Sequence, residues 1–110
     1  MNFSLTEEQR ALKETARRFA QDELKPIAAE IEESGEPVSL ELRGRLASLG
    51  FLGINVSERY GGLGLGNLEA LIVLEEFAKV SSAVAFPVFE SSVGPVRAIE
   101  HFANDALKER

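Results

Sequence analysis

The 110-residue chain contains no cysteine and no tryptophan, and only one histidine, His101. Without cysteine there is no disulfide framework, no thiolate metal site and no cysteine nucleophile. A single histidine excludes a two-histidine metal site, and a serine-histidine-aspartate triad would depend on one helical residue. No serine lies in a G-x-S-x-G elbow. We therefore expect neither a catalytic residue nor a metal ligand in this chain.

Positive charge is also scarce: the chain has 12 lysines and arginines but 18 acidic residues, which gives a formal net charge of -6. This balance is unfavourable for nucleic acid or anionic lipid, so we expect neither as a partner. No apolar run approaches the roughly 20 residues of a membrane span, and the first residues lack the basic-then-apolar order of a signal peptide. The sequence thus predicts one compact, cytoplasmic domain.

Glycine is concentrated, since six of the nine glycines lie in residues 50–66, here called the glycine loop. Its run GGLGLG at residues 61–66 lacks the G-x-G-x-x-G spacing of a dinucleotide turn, and no Gly-Lys pair marks a phosphate loop. We interpret it as a structured loop in which Gly61 and Gly62 fix a tight turn beside Tyr60.

Apolar residues recur at steps of three and four, and no pair of strand signals is present, which predicts an all-α orthogonal bundle of five to six helices. Thr6 and Gln9 have the spacing of a capping box at the start of the first helix. Leu12, Ala16 and Phe19 begin its apolar stripe. Pro26 should kink this helix or split it in two.

Start signals mark the later helices. They are Ser39, with Gly50 as a left-handed terminator, then Asn67, Gly94-Pro95, and Asn104 or Asp105. Residues 83–93 are strongly apolar, and we predict a helix there because no strand is available to pair with them. The helix after Asn67 should be central, since apolar residues cover most of its circumference. In the helix after Pro95 we expect Val96, Ile99, Phe102 and Ala103 to point inward.

Residues 49–65, LGFLGINVSERYGGLGL, resemble the segment of acyl-CoA dehydrogenases that usually reads L-G-[FL]-x-G-[IL]-x-[VI]-P-E-x-Y-G-G-x-G-x. Ser57 stands where proline is usual. Further matches occur in the expected order: LTEEQ at 5–9, FA at 19–20, LKPIA at 24–28 and VLEEFA at 73–78. The chain is therefore similar, over most of its length, to the N-terminal helical domain of this family.

The resemblance implies a single N-terminal domain over residues 1–110, with the flavin-binding middle and C-terminal domains outside this chain. In the family, those two domains and a neighbouring subunit hold FAD, and the catalytic glutamate lies in the C-terminal bundle. The full-length enzyme would be a homo-oligomer that dehydrogenates acyl-CoA in fatty acid metabolism. This chain alone is expected to bind no FAD and to be inactive.

The family also uses the helix after the third to close the far end of the acyl pocket. By position, the resemblance places Phe86, Glu90 and Val93 at this pocket. The alternative is that Phe86 and Val93 are core residues and Glu90 is a solvated charge. An unpaired carboxylate buried there would cost several kcal/mol, so Glu90 must be paired, protonated or at an opening.

Two other functions remain open from the sequence. A related acyl-CoA oxidase, acyl-carrier-protein-dependent dehydrogenase or flavin monooxygenase would share this helical domain. A free-standing helical interaction domain would need no flavin modules at all.

Overall fold

The computed structural model describes residues 3–110, and this part of the chain contains helices and loops but no strand. The α-helices are α1 (Glu7–Phe19), α2 (Lys25–Ser34), α3 (Leu40–Ser48), α4 (Asn67–Ala78), α5 (Ser82–Ser91), α6 (Pro95–Phe102) and α7 (Asp105–Glu109). A π-helical turn, Ala20–Leu24, joins α1 to α2, and a 3₁₀ turn, Glu58–Tyr60, lies in the glycine loop. Because α1, the π turn and α2 are consecutive, residues 3–110 form six α-helical units, which confirms the predicted all-α bundle.

Three of the predicted helix starts are confirmed by side-chain caps. The Thr6 hydroxyl accepts the Gln9 N–H at 3.1 Å, and the Gln9 side chain accepts the Thr6 N–H at 2.9 Å, which completes the capping box. Ser39 caps α3 and Asn104 caps α7 in the same manner, each accepting a backbone N–H three residues later. Such caps depend on local sequence, which is why spacing alone located them.

The predicted cap of α4 at Asn67 is wrong by one residue. Gly66 is the N-cap, and its N–H donates to the Glu69 carboxylate at 3.1 Å. The Asn67 side-chain oxygen instead accepts a 2.6 Å hydrogen bond from Asn55 in the glycine loop. A contact between residues distant in sequence therefore replaces the local cap.

Pro26 marks the division of the first helix, as predicted. A proline in a helix removes one N–H donor and crowds the carbonyl four residues earlier. Here the Lys25 N–H reaches the carbonyl of Ala20, five residues back, so the helix widens by one residue before Pro26. This π turn divides α1 from α2 while the helical path continues.

The core lies where α1 and α5 pack against the central helix α4. Three buried phenylalanines meet there, with ring centroids 5.1 to 5.8 Å apart: Phe19 from α1, Phe51 from the glycine loop and Phe77 from α4. Ile54, also from the loop, is fully buried beside them. The glycine loop thus contributes to the core.

The central helix α4 also contains a buried carboxylate. Glu76 of α4 is only 2% exposed, and its Oε1 lies 3.0 Å from the Lys79 ammonium and 3.9 Å from that of Lys13. Both lysines keep about half of their side chains in solvent. The apolar face of α4 predicted from the sequence therefore contains a paired buried charge.

The inward face predicted for α6 is largely wrong. Phe102 is 88% exposed, Ile99 is also exposed, and α6 contributes no buried residue. Polar bonds to the glycine loop hold this helix: Arg97 donates to the Asn55 carbonyl, and Glu100 accepts the Ser57 N–H. Because these bonds lie on one side of α6, its phenylalanine remains in solvent.

Candidate functional site

Helix α5 and the residues directly after it carry the three positions that the family resemblance assigned to a pocket. It begins after Ser81, whose hydroxyl accepts the Ala83 N–H at 3.1 Å and donates to Glu32 at 3.0 Å. Val84 and Val88 anchor α5 in the core, where both are fully or almost fully buried. Residues 83–91 therefore form the predicted helix, and one side of it is fixed against the bundle.

Another side of α5 presents aromatic rings to solvent. Phe86 is 54% exposed and Phe89 is 39% exposed. Their ring centroids lie 5.9 Å apart at an interplanar angle of 78°, an edge-to-face pair. We call this pair the aromatic face. Contiguous apolar surface that faces solvent is a feature of ligand-binding and docking sites, and this pair makes α5 the candidate site.

The three predicted pocket residues take different positions. Phe86 belongs to the aromatic face. Glu90, one turn further on, is exposed and lines an open groove of about 320 Å³ with Pro87 and Ser91 of α5 and Arg43 of α3. Glu90 thus lies at an opening, where its carboxylate does not carry the cost of an unpaired buried charge.

Val93 differs from the other two predicted residues. It lies two residues after the end of α5, is half-buried and packs against the core. The structure therefore does not bring Val93 onto the aromatic face. Phe89, which was not among the three predicted residues, takes that place, and its spacing of three from Phe86 was the available signal.

The glycine-rich run of the loop, residues 61–66, has no spare N–H groups with which to hold a phosphate. The N–H groups of all six residues from 61 to 66 donate within the chain: Gly61 to Glu58, Gly62 to Ser57, Leu63 to Gly53, Gly64 to Val56, Leu65 to Ile54 and Gly66 to Glu69. Phosphate loops work by aiming free N–H groups at the ligand. The loop therefore does not fit the phosphates of FAD.

Residues 3–110 bring together no group of three histidine, aspartate or glutamate side chains able to hold a metal ion. None of the helices in that range combines enough length with enough apolar character to cross a membrane.

Comparison with known proteins identifies the family. The family model described as "Acyl-CoA dehydrogenase, N-terminal domain" matches residues 6–110. The chain belongs to the acyl-CoA dehydrogenase family. Within that family it corresponds to the N-terminal helical domain, in agreement with the all-α fold described above.

Individual acyl-CoA dehydrogenases and their structural neighbours give the same result. The mitochondrial isovaleryl-CoA dehydrogenase of Pongo abelii is 40% identical over 107 residues, which cover 96% of this chain and 25% of the relative. Butyryl-CoA dehydrogenase from Megasphaera elsdenii superposes with a TM-score of 0.82 at 31% identity, over 99% of this chain and 29% of that chain. The protein PigA, solved as an FAD complex, has the same TM-score, identity and coverage. The chain spans about a quarter of the length of the curated relatives that it matches.

Proposed function

We propose that this domain serves an FAD-dependent flavoenzyme that dehydrogenates an acyl-CoA thioester between its α and β carbons. Its aromatic face forms part of the wall of the acyl pocket. One observation carries the proposal: Phe86 and Phe89 pair in solvent on a helix whose opposite side is fixed in the core. Membership of the family supports the reaction class.

The chain's own residues supply shape and exclude water. Burying the acyl tail against apolar protein surface stabilises the complex by about 0.8 kcal/mol per buried methylene. The edge-to-face rings of Phe86 and Phe89 offer a preformed apolar surface for that burial. Glu90 lies at the rim, where its charge stays hydrated, and Val93 supports the wall from the core side.

The redox group belongs to other parts of the flavoenzyme in this proposal. All N–H groups of residues 61–66 are paired within the chain, so we assign FAD to flavin-binding middle and C-terminal domains. The FAD complex formed by a structural neighbour supports FAD as the cofactor. Homo-oligomeric assembly and a cytoplasmic location complete the proposal, and cell fractionation with gel filtration of the flavoenzyme tests both.

A chimera tests the function directly. Residues 1–110 replace the N-terminal domain of the isovaleryl-CoA dehydrogenase relative, and the FAD content of the purified chimera is measured first. Turnover is then recorded with isovaleryl-, butyryl-, hexanoyl- and octanoyl-CoA. We expect Phe86→Ala to raise kcat/KM for the longer chains relative to butyryl-CoA on the order of tenfold, because the missing ring enlarges the pocket.

The matched control is Phe102→Ala, which removes an exposed phenylalanine from a different helix. It should leave the chain-length profile unchanged. If Phe86→Ala keeps full FAD content and the same profile as Phe102→Ala, the aromatic face is not part of the acyl pocket.

A further inference from the structure

We infer that the glycine loop positions the aromatic face, and that Ser91 and Ser92 are the positioning residues through which it acts. The inference rests on the proposed role of that face in acyl binding. It gives a function to the most distinctive segment of the sequence, in which the N–H groups of residues 61–66 are all bonded within the chain. The loop acts on α5 from behind and does not contact the acyl chain.

Two consecutive hydroxyl groups join the end of α5 to the loop. The Ser91 Oγ accepts the Gly53 N–H at 3.1 Å, and the Ser92 Oγ accepts the Ile54 N–H at 3.2 Å. Ser92 is 0% exposed, so water cannot replace its bond without a rearrangement. Because two consecutive serines accept bonds from two consecutive loop residues, the end of α5 is fixed both along its axis and in rotation about that axis.

The loop itself is fixed to the core, which makes it a rigid support. Phe51 packs against the rings of both Phe19 and Phe77, and Ile54 is fully buried. Across the loop, the Leu63 and Leu65 N–H groups bond to the carbonyls of Gly53 and Ile54, the same two residues that hold the serines. The serines therefore connect α5 to a segment that is braced from both sides.

The backbone of Phe89 is hydrogen-bonded to the residues that follow the helix end. The Phe89 carbonyl accepts the N–H of Gly94 at 2.8 Å and that of Ser92 at 3.4 Å. The Phe89 ring lies so close to Gly94 that a Cβ there would be 2.9 Å from the ring. Displacing Ser92 must therefore move the Phe89 backbone and its ring, and with it the contact to Phe86.

The first test uses the chain itself, followed by NMR. Ser92→Ala should speed amide exchange at Ile54 by about tenfold and shift the ring resonances of Phe86 and Phe89. Ser39→Ala is the matched control, because it removes a serine oxygen that accepts a backbone N–H at 3.1 Å on α3. It should leave those ring resonances in place. Unshifted rings in Ser92→Ala would overturn the inference.

A second pair of variants at Ser91 keeps the inference testable if Ser92→Ala fails to fold. Ser91 is only half-buried. Ser91→Ala should reproduce the ring shifts, whereas Ser91→Thr, which retains the hydroxyl that accepts the Gly53 N–H, should leave the ring resonances at their unsubstituted positions. Loss of stability in Ser91→Ala without any ring shift would show a structural role only and would contradict the inference.

The chimera separates failure of this inference from failure of the proposed function. With FAD content unchanged, Ser91→Ala should raise KM for acyl-CoA by about tenfold while kcat changes less, because the pocket wall is displaced and the reacting atoms are not. If Phe86→Ala alters the chain-length profile but Ser91→Ala leaves KM unchanged, only the positioning role is wrong. If Phe86→Ala has no effect, the proposed function fails.

Discussion

A methyl group added at Gly62 should destabilise the domain far more than one added at its neighbour Gly61. A Cβ on Gly62 would lie 2.1 Å from the Val56 carbonyl oxygen, whereas ordinary contacts are 3.4–4 Å, so the backbone must move by more than an ångström. The same carbonyl accepts the Gly64 N–H at 2.9 Å, and that bond would be strained or lost. Overpacking costs about 1–3 kcal/mol and a lost hydrogen bond about 1 kcal/mol, which together predict about 2–4 kcal/mol.

Two other glycines, the neighbouring Gly61 and Gly44 of α3, serve as controls for Gly62→Ala. Gly61 has φ +89° but nothing within 4 Å, so Gly61→Ala should cost about 1–2 kcal/mol from backbone conformation alone. Gly44 is exposed in α3 with no atom in reach, so Gly44→Ala should stabilise the domain by about 0.5–1 kcal/mol.

Urea unfolding followed by circular dichroism measures all three variants. The predicted order of stability is Gly44→Ala above the unsubstituted chain, then Gly61→Ala, then Gly62→Ala. A Gly62→Ala variant as stable as Gly61→Ala would show that the loop is not closely packed at Val56, and it would refute the argument that the loop is rigid.

Three further outcomes are expected. Lys79→Met removes the 3.0 Å partner of the buried Glu76 carboxylate and should cost about 1–3 kcal/mol in urea unfolding; no loss would mean that the carboxylate needs no close cation. The pKa of the Glu69 carboxyl is lowered from its ordinary value of 4.5, chiefly by the hydrogen bond from the Gln9 side chain. The stability that the ionised Glu69 carboxylate adds to the fold is thus complete above pH 4.5 and is lost as the pH falls through the lowered pKa. Glu69→Gln should therefore flatten the acid limb of a plot of unfolding free energy against pH. An unchanged limb would contradict this. Serine in place of both phenylalanines of the aromatic face should reduce binding of a hydrophobic dye while unfolding stays cooperative, whereas loss of cooperativity would mark them as core residues.

Much of the fold could be predicted because its signals are local. Thr6, Ser39 and Asn104 each cap a helix through residues three positions away, and Pro26 acts on its own turn. Asn67 was assigned wrongly because its partner, Asn55, lies 12 residues away across a loop. No local pattern contains that contact.

The candidate site was predicted only in part for a similar reason. Residues 83–93 are apolar almost throughout, so the pattern could not separate the buried Val84 and Val88 from the exposed Phe86 and Phe89. Which side of α5 faces the core depends on its packing against α4 and on the hydrogen bond that the Ile54 N–H of the glycine loop donates to the Ser92 hydroxyl. Both are tertiary contacts, and the helical period alone does not fix the rotation of a helix that is apolar on several sides.

The most direct measurement of the central claim is photo-crosslinking of the flavoenzyme chimera with an acyl-CoA that carries a diazirine at the last carbon of its acyl chain. Mass spectrometry then locates the adduct. The account predicts labelling of Phe86 or Phe89, competed away by unlabelled acyl-CoA and absent at the exposed Phe102. Competed labelling confined to residues outside α5 would contradict it.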